Sequence, residues 1–275
     1  MPKNDLKGIL LDTDRIIDEQ LGSHKHGSVG IALTEAPHNF SSKKLLEKMI
    51  IQIEKNLKEA RHPSSGIVLG KSIENWREKP PTPEHDKRKP ERDLEHKLVG
   101  AGEDDPDWRW WNQMPIASGL VSYRADRTRA IDLVCQRRKK NPAYYRFIEL
   151  KIGRESGAPL AAMMEILRHG LVYFALRKNR GQKWLDGISF DSPIFKANCI
   201  DLCVLAPESY YKDYKLAWLE TSLTSALNEI VKDQLDESLT MNLSSYWPTH
   251  LATISGLDDS KLKSYLTEWT DAYPK

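Results

Sequence analysis

Three side chains able to share one chemical step stand near the middle of the chain: Asp132 in "AIDLVCQ", and Glu149 and Lys151 in "YYRFIELKI". Both segments read as β-strands. Side chains alternate along a strand, so Glu149 and Lys151 share one face while Ile148, Leu150 and Ile152 share the other. On the first segment Asp132 points away from the face that carries Ile131, Leu133 and Cys135. A hairpin whose turn centres between Lys140 and Asn141 sets Asp132 directly across from Glu149. Carboxylates facing each other across a sheet repel, and partial burial makes the repulsion worse. Lys151, one side-chain position along, is one compensating cation. A divalent metal is a better one, since two carboxylate oxygens, a backbone carbonyl and waters suit Mg²⁺ or Mn²⁺. Alternatively, the same residues form a solvated strand face with an ordinary Glu–Lys pair.

The elements that position these residues follow from periodicity and punctuation. From Glu78 to Pro90, "EKPPTPEHDKRKP" carries four prolines among dense charge and reads as a linker. It divides residues 1–77, expected to be an α+β region of unassigned role, from residues 91–275. Before it, Leu45, Met49, Ile53 and Leu57 recur every four residues with Leu46 and Ile50 beside them, an amphipathic helix behind a Ser42 cap. After it, "ERDLEHKLVGAG" is a short helix with Glu91 and Glu95 one turn apart on one side. A Trp-rich connection, "DDPDWRWWNQMP", leads to a candidate strand "SGLVSYRAD" and then to the two strands around "RRKKNP". The segment "APLAAMMEILRHGLVYFALRKN" is apolar nearly all round, as a buried helix is, and "CIDLCVLAP" is a further strand. That strand is expected to pair into the sheet of "YYRFIELKI", with the helix around Met163 as the crossover. The fold class is therefore α/β, ordered helix, three strands, helix, strand, and followed by C-terminal helices in "YKLAWLETSLTSALNEIVKDQL" and "DDSKLKSYLTEW".

This order, with "IDLV" carrying Asp132 and "IELKIG" carrying Glu149 and Lys151, resembles the PD-(D/E)XK nuclease superfamily and its restriction-endonuclease-like core. The resemblance covers about residues 90 to 206. It implies metal-dependent hydrolysis of phosphodiester bonds, with DNA as the expected substrate. Asp132 and Glu149 would hold Mg²⁺ or Mn²⁺ with the Leu150 carbonyl, and Lys151 would help deprotonate the attacking water or stabilise the developing charge. The superfamily's acidic residue on the first core helix falls on Glu91 or Glu95, and Glu91 is preferred because "ERDLEHKL" has its glutamate first. The usual proline before the aspartate is replaced by Ile131. Polar residues on the helix after the lysine correspond to Glu165, Arg168, His169 and Tyr173, which either contact the site and substrate or form a polar stripe. Arg137, Arg138, Lys139 and Lys140 at the hairpin tip either meet backbone phosphates or form a solvated turn. Trp108, Trp110 and Trp111 could stack on bases, but core or interface is the preferred reading. Cutting both strands of a duplex commonly calls for a homodimer. The competing reading keeps the fold without the chemistry: a silent module that binds nucleic acid or a protein partner.

Composition bounds these readings. Charged residues at 29% and hydrophobic ones at 40% of 275 residues describe a folded chain rather than a disordered one. No apolar run is long enough to span a bilayer and the first residues lack a leader pattern, so a cytoplasmic location and no membrane partner are expected. Cys135, Cys199 and Cys203 all lie in apolar stretches and read as buried free thiols. Net charge of +2 demands no anionic partner, yet basic residues gather between Arg124 and Lys140. The pair Asp12 and Asp14 in "ILLDTDRI" suggests an aspartate-nucleophile phosphatase, but Ile16 stands where that pattern wants threonine or valine, so a strand end or helix cap is the better account. His24 and His26 in "GSHKHGS" read as a flexible surface loop.

Overall fold

The computed structural model of the chain describes residues 8–25, 27–61, 90–116, 130–139, 143–186, 190–235, 238–248 and 259–273. The candidate residues come together because Ala130–Arg137 (β2) and Tyr144–Leu150 (β3) form an antiparallel pair, with Leu133 opposite Ile148 and Gln136 opposite Tyr145. Cys199–Leu205 (β4) runs parallel to β3, as a strand reached through a crossover helix must. That helix is Pro159–Lys178 (α5), which starts with proline at a position where the missing N–H costs nothing. It packs on β3 and β4. "CIDLCVLAP" and "YYRFIELKI" thus share a sheet across the helix that contains Met163.

Two further expectations about strands are corrected. The Trp-rich connection is itself a strand, Trp108–Pro115 (β1), paired antiparallel with β2. Its clustered tryptophans suit a half-buried pleated surface. "SGLVSYRAD" lies outside the described residues. The C-terminal part is not helical alone. After the helix Ala217–Gln234, Thr240–Pro248 (β5) pairs parallel with β4, and Trp269–Asp271 (β6) closes the far edge antiparallel to β5. Met241, Leu243 and Ser245 form the buried face of β5, with Asn242 and Ser244 opposite, an alternation too weakly apolar to stand out. The result is a mixed sheet of six strands in sequential order.

The described part of the N-terminal region is helical, without a strand: Thr13–Leu21 (α1), Gly27–Ala32 (α2) and Ser42–Arg61 (α3). Leu45, Leu46, Met49, Ile50, Ile53 and Leu57 are all buried, as the periodicity requires. The cap of α3 is Ser41 rather than Ser42, since its Oγ accepts from the Lys44 N–H at 3.3 Å. Among the described residues the remaining α-helices are Pro90–Ala101 (α4), Glu208–Tyr211 (α6), Ala217–Gln234 (α7) and Asp259–Thr267 (α8). Helices α5 and α7 cover one side of the sheet, with α3 packed on both of them and α1 on α3, and their core includes Ile17, Leu57, Phe147 and Leu202. On the other side α4 and α8 bury Leu98, Leu133, Ile148, Cys203 and Leu262. No helix among the described residues is long and apolar enough to cross a membrane.

Helix α5 approaches β4 closely at Gly170, where an added Cβ would stand 2.5 Å from Leu202 Cδ1. Leu202 is fully buried, so its side chain has nowhere to retreat. Gly170→Ala should therefore lower stability in urea unfolding despite the ~1 kcal/mol helix-propensity gain, because overpacking costs roughly 1–3 kcal/mol. In a Leu202→Ala background the same change should become neutral or stabilising. Equal effects in the two backgrounds would show that this contact does not set the helix–sheet distance.

Candidate active site

The site lies where the β2–β3 ladder runs out. One step beyond Leu133 and Ile148, the same register sets Asp132 beside Glu149. There the Asp132 carboxylate takes a backbone role: Oδ2 accepts the Leu150 N–H at 2.9 Å. The Lys151 N–H donates to the Leu205 carbonyl of β4 at 2.9 Å, which fixes the start of its side chain. The Lys151 ammonium then meets Glu149 Oε1 at 2.6 Å and Glu165 Oε2, from α5, at 3.7 Å. Glu149 and Lys151 are only 3% and 8% exposed, so this face is covered by α5 rather than solvated.

Charge in this enclosure is out of balance. Burial, then the neighbouring Asp132 and Glu165 carboxylates, push Glu149 well above the ordinary carboxylate range. Burial also raises Asp132, to about 6, against the pull of Lys151 and the Leu150 N–H. Burial resists charge on Glu165 too, but Lys151, His169 and Arg168 outweigh it and hold that carboxyl low. For Lys151 burial opposes the charge, and Glu149 and Glu165 more than restore it. Three acids share one ammonium. Glu149 and Glu165 also share a hydrogen bond, with the Glu149 carboxyl raised and the Glu165 carboxyl lowered.

Helix α4 brings both candidate glutamates to the same end of the sheet. Glu95 is 3% exposed and its Oε2 accepts from Gln113 Nε2 at 2.6 Å. Burial, then Asp132, raises its carboxyl to about 8. Glu91 Oε1 is buried without a hydrogen-bond partner. A cleft of about 790 Å³ opens beside them, lined among others by Glu91, Arg92, Glu95, Gln113, Glu155 and Ser156. Gln113 stood out in no motif. The β1–β2 register sets it beside Asp132, and its φ of 48° is left-handed, a conformation that costs a non-glycine residue ~1–3 kcal/mol. The strain sits where a side chain must turn from the strand to Glu95.

The other candidates are dispersed. His169 is buried one turn along α5 from Glu165 and acts on it electrostatically. Tyr173 is in the core, its hydroxyl donating to the Ile194 carbonyl at 2.8 Å and accepting from Arg177 at 2.9 Å. Arg137, Arg138 and Lys139 lie at the hairpin end of β2; with ~3.3 Å per residue, Arg137 is about 16 Å from Asp132 and the other two are farther. Arg138 is tied to the Trp108 carbonyl at 2.9 Å. Lys140 lies outside the described residues. Trp110 and Trp111 are buried, and Trp108 packs on Arg146 at 4.5 Å. His24, expected in a flexible loop, is instead fully buried, with Nδ1 2.6 Å from Asp18 Oδ1.

Among the described residues no three or more His, Cys, Asp or Glu side chains gather as a metal-binding cluster. Asp132, Glu149 and a strand-end carbonyl offer oxygen donors only, the type a hard cation takes, while Lys151 stands on Glu149 Oε1 at 2.6 Å. Comparison of the chain with family models, curated proteins and solved structures returns no match.

The raised Glu95 carboxyl has a signed consequence for stability. Its folded state holds a proton more tightly than the unfolded chain, whose ordinary value is 4.5. The favourable contribution is complete below about 4.5 and lost as pH rises toward about 8. Glu95→Gln keeps the acceptor for Gln113 and removes that loss. Thermal unfolding across this window should show the variant gaining on the wild type as pH rises; parallel curves would mean that Glu95 is not held protonated.

Proposed function

We propose that the protein is a metal-dependent nuclease hydrolysing phosphodiester bonds in DNA, built on a restriction-endonuclease-like core. The observation that carries this reading is Asp132 and Glu149 side by side at a strand end, with Lys151 ion-paired to Glu149. The α/β order, the crossover by α5 and the two α4 glutamates beside a cleft also support it. Asp132, Glu149 and the Leu150 carbonyl are the residues that would hold Mg²⁺ or Mn²⁺, with Glu91 or Glu95 tuning the site. When bound, such an ion supplies Lewis acidity toward a phosphoryl oxygen and acidifies a water.

The chain's own groups divide the remaining work. Lys151, between two carboxylates, keeps its proton and suits stabilisation of developing negative charge better than proton abstraction. Asp132 holds the Leu150 backbone, and so sets the strand end from which Lys151 departs. The cleft presents Glu91 and Glu155, with the raised carboxyl of Glu95, against Arg92, so a phosphodiester entering it needs a cation to offset repulsion. The second reading, a silent nuclease-like module, is favoured by the contact of Lys151 on Glu149 and by the lack of a gathered three-donor cluster among the described residues.

Purified protein incubated with plasmid, linear duplex, single-stranded DNA and RNA, in Mg²⁺, Mn²⁺ or EDTA, separates the two. Metal-dependent cleavage is expected. Glu149→Gln and Lys151→Ala should each lower the rate by roughly two orders of magnitude or more while retaining nucleic-acid affinity. Binding without cleavage in any metal would select the silent module; equal cleavage by both variants would place the chemistry elsewhere.

The same site predicts a stability effect. Asp132→Asn keeps the acceptor for Leu150 and deletes one repelling charge, so the metal-free protein should be equally or more stable, by on the order of 1 kcal/mol. Mg²⁺ or Mn²⁺ should raise the melting temperature of the wild type and do so far less in the variant. A large loss of stability in Asp132→Asn, with no metal effect on the wild type, would make Asp132 a structural residue only.

A further inference from the structure

The N-terminal helix α1 reaches the site through a chain of charges. Asp14, in its first turn, pairs with Arg168 Nη1 on α5 and with Lys25 Nζ at 2.5 Å. It also faces His24 Nε2 at 3.4 Å, and His24 is anchored by Asp18. The His24 hydrogen bond, with Lys25 and Arg168 beside it, holds Asp14 ionised well below the usual carboxylate range. Arg168 is only 8% exposed, and its Nε is buried without a hydrogen-bond partner. One turn toward the start of α5, on the same side, stands Glu165, the second counter-ion of Lys151. Residues three apart on a helix can pair, and Arg168 already acts on Glu165.

Glu165 therefore has two cations within reach, and Arg168 has two carboxylates. A buried guanidinium deprived of one partner must find another. We propose that Asp14 is a positioning residue of the active site: by holding Arg168 toward α1, it leaves the Glu165 carboxylate to Lys151. The role in catalysis rests on the nuclease reading, whereas the partition of charges does not. It also gives the N-terminal helices a part in the chemistry.

The test is a set of variants read by cleavage and by thermal unfolding. Asp14→Asn releases Arg168 to Glu165, so kcat should fall about tenfold with KM unchanged. Adding Arg168→Met removes the competing charge and should restore kcat, which a defect confined to folding would not do. Asp14→Glu, which keeps the charge, should remain near wild type. Independently of any activity, Glu165→Gln should lower the melting temperature more in the Asp14→Asn background than in the wild type, because only there does Glu165 carry Arg168. Equal effects of Glu165→Gln in both backgrounds would overturn the proposal. So would a cleavage defect in Asp14→Asn that Arg168→Met leaves unrepaired. If Asp14→Asn does not fold, Asp14→Asn/Arg168→Met, which buries no lone charge, must cleave near the wild-type rate for the proposal to stand. Should the wild type cleave no nucleic acid, the nuclease reading falls, and the melting comparison still decides the partition.

Discussion

A single ammonium enclosed among acids is the constraint on which the rest of the structure turns. Lys151 is almost wholly buried beside Glu149 and within ion-pair reach of Glu165. An unpaired charge in such a place costs several kcal/mol, far more than the pair returns, so the surrounding structure must hold these groups together. The β-sheet does so by register. A slip of one residue between β2 and β3 would turn Asp132 away from Glu149 and toward the apolar core under α4 and α8. The Lys151 N–H on Leu205 extends the constraint to β4, which makes the crossover through α5 a requirement of the site as well as of the sheet.

Burial on both faces distinguishes this sheet from a hairpin with one wet side. Phe147 faces α5 and Ile148 faces α4, and Glu149 falls on the α5 side by alternation. The polar face is thus formed inside the packing, where α5 contributes Glu165 and Arg168 from a helix otherwise almost wholly buried. Low polarity strengthens each attraction and each repulsion there. Gln113 carries a local cost for the same end: its left-handed backbone breaks the run of β1 beside Asp132 and directs its amide to Glu95.

Much of the local geometry was legible because it depends on neighbours in sequence. Alternation around Asp132 and Glu149 assigned the faces, and the symmetric hairpin arithmetic matches the observed pairing of Leu133 with Ile148. The four-residue spacing in α3 named its buried side. Strand β1 was hidden by tryptophans that look like a connection, and β5 by Asn242, Ser244 and Ser245, whose polarity masks the alternation. Glu91 and Glu95 could not be separated on one helix face because both reach the cleft, and their difference lies in partners from β1 and β2. The burial of His24 was illegible for a related reason: the Asp14–Arg168 pair beside it joins residues 154 positions apart. Such contacts are decided by how helices stack, and no spacing rule reports them.

The site is assembled from α4, β2, β3 and α5, and α1 reaches it through Arg168. Each piece brings charge that is easily solvated in the unfolded chain, so crowding the acids counts against the folded state, as the raised carboxyls of Glu95, Asp132 and Glu149 record. A protein selected only for stability would replace one of these acids with an amide or an apolar residue. Asp132, Glu149 and Glu165 about one lysine, with Glu95 near Asp132 and a strained glutamine and an open cleft close by, concentrate a cost in stability at one place. Strain and surplus charge gather where a bound group can relieve them.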